Sequence, residues 1–206
     1  MENAVASTPT TRVDTNHRKL VDAEGHICAF FHSLDEEYEV LLPVIREGFD
    51  RGERIFYIVD PDLRAHHLTR LSAGGIDVVR GEASGQLVMV DWSQTYLSTG
   101  RLDQERFMSQ FASAQAEGRS QGYCRTRFVS HMEWALKGSL DQLAEYEIRA
   151  NFVPLKPDVG ICTYQLEHWG GRLLVSALRT HPLVILGGLL HENPFYVPPT
   201  PTFSPS

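Results

Sequence analysis

With 206 residues, of which 42% are hydrophobic and 22% charged, the chain is long enough for one domain with a substantial core and short for two. A formal net charge of −7 repels phosphate backbones, which argues against a nucleic-acid partner. There is no apolar run long enough to span a membrane and no secretory apolar core at the N-terminus, and the dispersed cysteines Cys28, Cys124 and Cys162 form no CxxC pair, so a cytoplasmic protein with reduced thiols is expected.

Residues 1–23, rich in Thr, Ser and Asn, are expected to be disordered or loosely attached. Residues 26–31 (HICAFF) have the composition of a strand buried on both faces. Ser33 and Glu36 offer a capping box. It opens a helix with Leu41, Leu42, Ile45 and Phe49 on its apolar side and Gly52 at its end. A strand over 54–60 (RIFYIVD) is followed by a helix carrying Leu63, His67, Leu68 and Leu71, which stops at Gly74-Gly75. Residues 76–79 read as a short strand, 81–85 as a loop, and 86–91 (QLVMVD) as a further strand.

The spacing of Phe107, Met108, Phe111 and Ala114 predicts a helix over 104–117. Strands at 127–132 (RFVSHM), 159–164 (VGICTY) and 183–186 then alternate with helices at 140–152 and 172–178. Residues 198–206 are a Pro-rich tail. This alternation calls for an α/β fold of three layers with a mostly parallel central sheet.

In such sheets ligands bind outside the carboxyl ends of the strands. Those positions here hold His32, Ser33, Asp60, Asp91, Trp92, His131, Glu133, Gln165, Glu167 and His168. Strand ends gather polar residues in any α/β protein, yet a cluster of carboxylates and imidazoles there suits a polar ligand or acid–base chemistry. His131 and Glu133 share a face if the strand persists that far.

His26 and Cys28 share one face of the first strand and His181 precedes the last strand. A metal site built on His26 and Cys28 would need two more ligands, from Cys124, Cys162 or His131. No short metal-ligand spacing is present, so no residue is assigned to a metal. The segment after the first strand, FHSLDEEYE, holds neither glycine nor lysine. A Walker loop needs both, so ATP chemistry is disfavoured; no cofactor is predicted, and a metal is left open as a weak alternative.

The stretch HICAFFHSLDEEYEVLLPVIREGFDRGERIFYIVD, followed by GQLVMVDW, RFVSHMEWAL, EYEIRANF, CTYQ and RTHPLVILGG, resembles the MEDS family, the sensory domain named for methanogens, methylotrophs and the regulator of dichloromethane dehalogenase. The resemblance covers residues 24–197. It implies a degenerate RecA/KaiC-like fold without a Walker A loop, and a sensory role in bacterial and archaeal regulators, with small hydrocarbon-derived or other organic ligands.

The expectation is therefore a stand-alone sensory domain that signals through a regulatory protein partner or a homodimer. Its ligand would lie at the strand ends against Phe31, Trp92, Trp134 and Trp169, with His32, His131, Glu133 and Tyr164 fixing its polar groups. His26, Cys28 and His181 complete the candidate ligand-binding set. An enzyme using His131 and Glu133, or His26 and Cys28, and a protein-interaction module remain the alternatives.

Overall fold

The computed structural model describes residues 9–95, 103–137 and 140–199, so residues 1–8 of the N-terminal segment and 200–206 of the tail lie outside it. Seven strands form one sheet: β1 (Gly25–Phe31), β2 (Arg54–Val59), β3 (Leu87–Asp91), β4 (Thr126–His131), β5 (Val159–Gln165), β6 (Leu183–Leu186) and β7 (Leu189–Glu192). Their spatial order is β3-β2-β4-β5-β1-β6-β7. The first six run parallel and β7 returns antiparallel on β6. The helices are α1 (Pro9–Val21), α2 (Leu34–Asp50), α3 (Arg64–Ala73), α4 (Val78–Ser84), α5 (Gln104–Ser120), α6 (Leu140–Ala150) and α7 (Gly171–Thr180).

Alternation along the strands divides the core in two. Ile27, Ala29 and Phe31 of β1 pack with Leu41, Ile45 and Phe49 of α2 and Leu71 of α3. Cys28 and Phe30 face the other way, into a core with Phe107 of α5, Leu143 and Tyr146 of α6, and Leu173 and Ala177 of α7. The result is the expected three-layer sandwich, and its strand order is consistent with a RecA/KaiC-like fold. Helices after β1 and β2 cover one face and helices after β3, β4 and β5 cover the other. Neighbouring strands β1 and β5, and likewise β2 and β4, thus send their chains to opposite faces, which opens a crevice at their carboxyl ends.

Four local expectations are corrected. Within the N-terminal segment, residues 9–21 form α1 rather than a disordered stretch. Leu20 and Val21 are buried, and the Arg125 and Arg127 guanidinium groups donate to the Val21 carbonyl at 3.0 and 2.5 Å. The open end of the helix is thereby capped by residues distant in sequence.

The β-branched residues at 76–79 do not form a strand, and 81–85 is not a loop. Asp77 accepts from the Arg80 backbone N–H at 3.0 Å and caps α4, which ends at Gly85 with φ +73°. Only Ile76 is fully buried, while Val79 is 81% exposed. Finally, 183–186 is not the last strand: Gly187 and Gly188 have φ of +55° and +72°, the conformation of a two-residue hairpin turn, and lead into β7.

Candidate functional site

The crevice is an open cleft of about 330 Å³ at the carboxyl ends of β1, β2, β4 and β5. Each wall is set by local chain chemistry. After β1, Ser33 Oγ accepts from the Glu36 N–H at 3.2 Å, and Glu36 Oε2 accepts from the His32 N–H at 2.6 Å. The two bonds make a capping box whose return arm reaches one residue before the cap. After β2, Asp60 accepts from the Asp62 N–H at 3.0 Å and starts the 3-10 turn Pro61–Leu63, which leads into α3 and His66. After β4 and β5, Glu133 accepts from the Gln165 N–H at 3.4 Å. Asp60, His66, Glu133, Glu167 and His168 line the cleft with His131 and Gln165.

A buried polar network supports the floor. Glu37 Oε1 lies 3.2 Å from His131 Nε2, and Glu37 Oε2 accepts from Gln165 Nε2 at 2.8 Å. The His67 ring stacks edge-on to His131 at 4.4 Å, and its Nδ1 is bonded to the Tyr38 hydroxyl. Burial opposes charge on His131, but Glu37 outweighs it and leaves the imidazole above its ordinary 6.5. Burial, with the adjacent imidazoles of His131 and His66, pushes His67 down to about 2, so it is neutral. Burial also raises the Glu133 carboxyl.

His131 and Glu133 are therefore brought together at the cleft, although the strand ends at His131 and a 3-10 turn carries Glu133. The aromatic side chains expected in the lining are not brought to the cleft. Phe31 points into the α2 core, while Trp92, Trp134, Tyr164 and Trp169 are buried in the α5–α7 core. His32 is exposed and holds the α2 cap through its backbone.

His26 and His181 meet on the opposite face of the sheet, with ring centroids 4.0 Å apart. Glu147 of α6 and Cys162 of β5 join them, and the ligand-type atoms of all four lie within 4.8 Å of one another. Neither Cys124, which is exposed, nor His131 belongs to this group. Cys28 is opposite Cys162 in register, but its thiol donates to the Leu183 carbonyl at 3.7 Å. Burial raises the Cys28 thiol, the reverse of what a nucleophile requires. Tyr164 donates its hydroxyl to Glu147 Oε1.

Two central residues, Glu37 and Glu147, were not identified from the sequence. Their signal is a carboxylate on an apolar helix stripe: Glu37 shares a face with Leu41 and Val44, and Glu147 with Leu143. A charge at such a position requires a buried partner.

A mostly parallel sheet between two helical layers, with its polar side chains gathered at a switch-point cleft, defines an α/β domain of three layers. The MEDS family (MEthanogen/methylotroph, DcmR Sensory domain) matches residues 25–182, and the chain belongs to it. It is also similar to the transcriptional repressor DcmR of Methylorubrum extorquens (strain DSM 6343 / CIP 106787 / DM4), at 28% identity over 160 residues. The match covers 76% of this chain and 57% of that relative, so the chain spans a little over half of the repressor's length. The family is described as a sensory domain. Among the described residues, no helix is long and apolar enough to cross a membrane.

Proposed function

We propose that this domain binds a small polar organic molecule in the carboxyl-end cleft and passes the bound state to a regulatory protein partner. The supporting observation is the convergence of Asp60, Glu133, Gln165 and Glu167 from three separate loops over the buried Glu37–His131 pair. Carboxylates outnumber imidazoles along this wall, and His131 is already paired, so the preferred guest is neutral or cationic and rich in hydrogen-bond donors. The repressor's role supports a link to gene regulation, and the part of the repressor outside the match is where its output resides on this reading.

The test is ¹H–¹⁵N shift mapping of the labelled chain against small organic amines, alcohols and carbonyl compounds. Binding in the cleft should move the resonances of Asp60, Glu133 and Gln165 together. If every compound leaves these three unmoved, the proposal fails.

A second reading is favoured by one observation. A cavity of about 20 Å³ lies between the sheet and helices α5 and α6, walled by Phe107, Phe111, Phe128, Tyr146 and Leu155. It has room for little more than one water-sized molecule, which suits a one-carbon hydrocarbon derivative. In the same experiment such a guest would move Phe111 and Phe128 instead.

A further inference from the structure

The four residues His26, Glu147, Cys162 and His181 come from β1, α6, β5 and the lead into β6, and all are buried. His26 Nε2 is 3.2 Å from Glu147 Oε2 and 3.4 Å from Cys162 Sγ. His181 Nε2 is 3.3 Å from Glu147 Oε2, and Cys162 Sγ is 3.8 Å from the same oxygen. Nitrogen, oxygen and sulfur ligands held at 2.0–2.3 Å around a tetrahedral ion stand about 3.3–3.8 Å from one another. Four of the six edges of this group are already close to those lengths, and all six lie within 4.8 Å.

The hydrogen-bond network orients both rings for this purpose. His181 Nδ1 lies 2.7 Å from the Ala177 carbonyl, which can only accept, so this nitrogen carries the proton. Asn151 Nδ2 donates to the carbonyls of Glu147 and Thr180 at 2.9 and 2.6 Å. Its Oδ1 is left facing His26 Nδ1 at 3.4 Å, so that nitrogen is also the donor. In the neutral tautomer that these bonds select, each imidazole turns the lone pair of Nε2 toward the carboxylate of Glu147.

In that tautomer two lone pairs and a carboxylate oxygen meet at one buried point, so the 3.3 Å approach of His181 Nε2 to Glu147 Oε2 carries no proton between them. A cation between them resolves the conflict. Ligating histidines characteristically donate their other N–H to a carbonyl or carboxamide, and Tyr164 steadies the free oxygen of Glu147.

We propose that His26, Glu147, Cys162 and His181 bind one divalent transition-metal ion, with zinc the best fit. A dication with the thiolate of Cys162 and the carboxylate of Glu147 sums to zero charge, which a buried site demands. Two imidazoles, one thiolate and one carboxylate suit zinc and not magnesium or calcium, which require more oxygen ligands. All four positions are filled by protein, so the site is structural: it ties α6 and the start of β6 to the centre of the sheet. It is separate from the carboxyl-end cleft and does not depend on the function proposed for that cleft.

The experiment uses the full chain without a histidine tag. Elemental analysis should find one zinc per chain, and the metal-free protein titrated with Co²⁺ should develop the visible bands of a tetrahedral site and a thiolate charge-transfer band. Cys162→Ser should lose the charge-transfer band, while Cys124→Ser, at the exposed thiol, should keep it. A wild type that carries no metal and gives only the weak spectrum of octahedral Co²⁺ would overturn the proposal, even if Cys162→Ser fails to fold. A thiolate band surviving in a folded Cys162→Ser variant would also overturn it.

Discussion

Nε2 of His131 lies 3.2 Å from Oε1 of Glu37, with both side chains buried beneath the cleft. The pair joins β4 to the first turn of α2, so the floor of the cleft is fastened by one charge contact between layers. Glu133, Asp60, His67 and Tyr57 also face this imidazole, and the carboxylates favour its charged form.

The pair has a defined pH signature. Because the folded pKa of His131 is raised above 6.5, its stabilisation is fully present below pH 6.5 and lost as pH rises through the folded value. Glu37→Gln should weaken this dependence and lower stability by roughly 3 kcal/mol below pH 6.5. Histidine ¹³C shifts followed through a pH titration, with urea unfolding at pH 6 and pH 9, measure both. A His131 that titrates below 6.5 in wild type would contradict the assignment.

Gly48 has no room for a side chain. A Cβ there would sit 2.5 Å from Arg127 Nε and 3.0 Å from Glu53 Oε2, inside the buried ion pair that also holds α1. Gly48→Ala should therefore destabilise the chain by about 1–3 kcal/mol through overpacking. Helix propensity alone would favour alanine here by about 1 kcal/mol. A rise in the urea midpoint would show that the packing is looser than described.

Ser33 both caps α2 and borders the cleft. Ser33→Ala should lower stability by about 1 kcal/mol, and Ser33→Gly by only a few tenths. Equal losses for the two, measured by urea unfolding, would mean that the hydroxyl contributes through something other than the cap.

The strands at 26–31, 54–60 and 159–164 were legible because each is buried on both faces and reads as a continuous apolar run. The short strand expected at 76–79 failed for a physical reason: Val78 and Val79 suggest β structure, yet the Asp77 cap and tertiary packing place them in a helix. Nothing local announces that α1 packs, since Arg125 and Arg127 anchor it from β4 and the loop before it.

For the candidate site, the carboxyl-end rule pointed to Asp60, His131, Glu133 and Gln165, which line the cleft. It misplaced Phe31 and the tryptophans, because the rule gives the end of a strand and not the face a side chain takes. Glu37 and Glu147 were hidden among helical carboxylates, which are ordinarily solvated, and their meaning comes from partners on other elements.

On the proposed function, the carboxyl-end cleft takes a small organic guest. Thermal-shift measurements of the full chain against small amines, alcohols and carbonyl compounds, with Asp60→Asn and Glu133→Gln run alongside, test it most directly. At a hundred times its dissociation constant a guest stabilises the fold by about 2.7 kcal/mol, so at least one compound should raise the wild-type midpoint by several degrees and lose that effect in both variants. A panel with no stabilising compound, or a shift that both variants retain, would contradict the account.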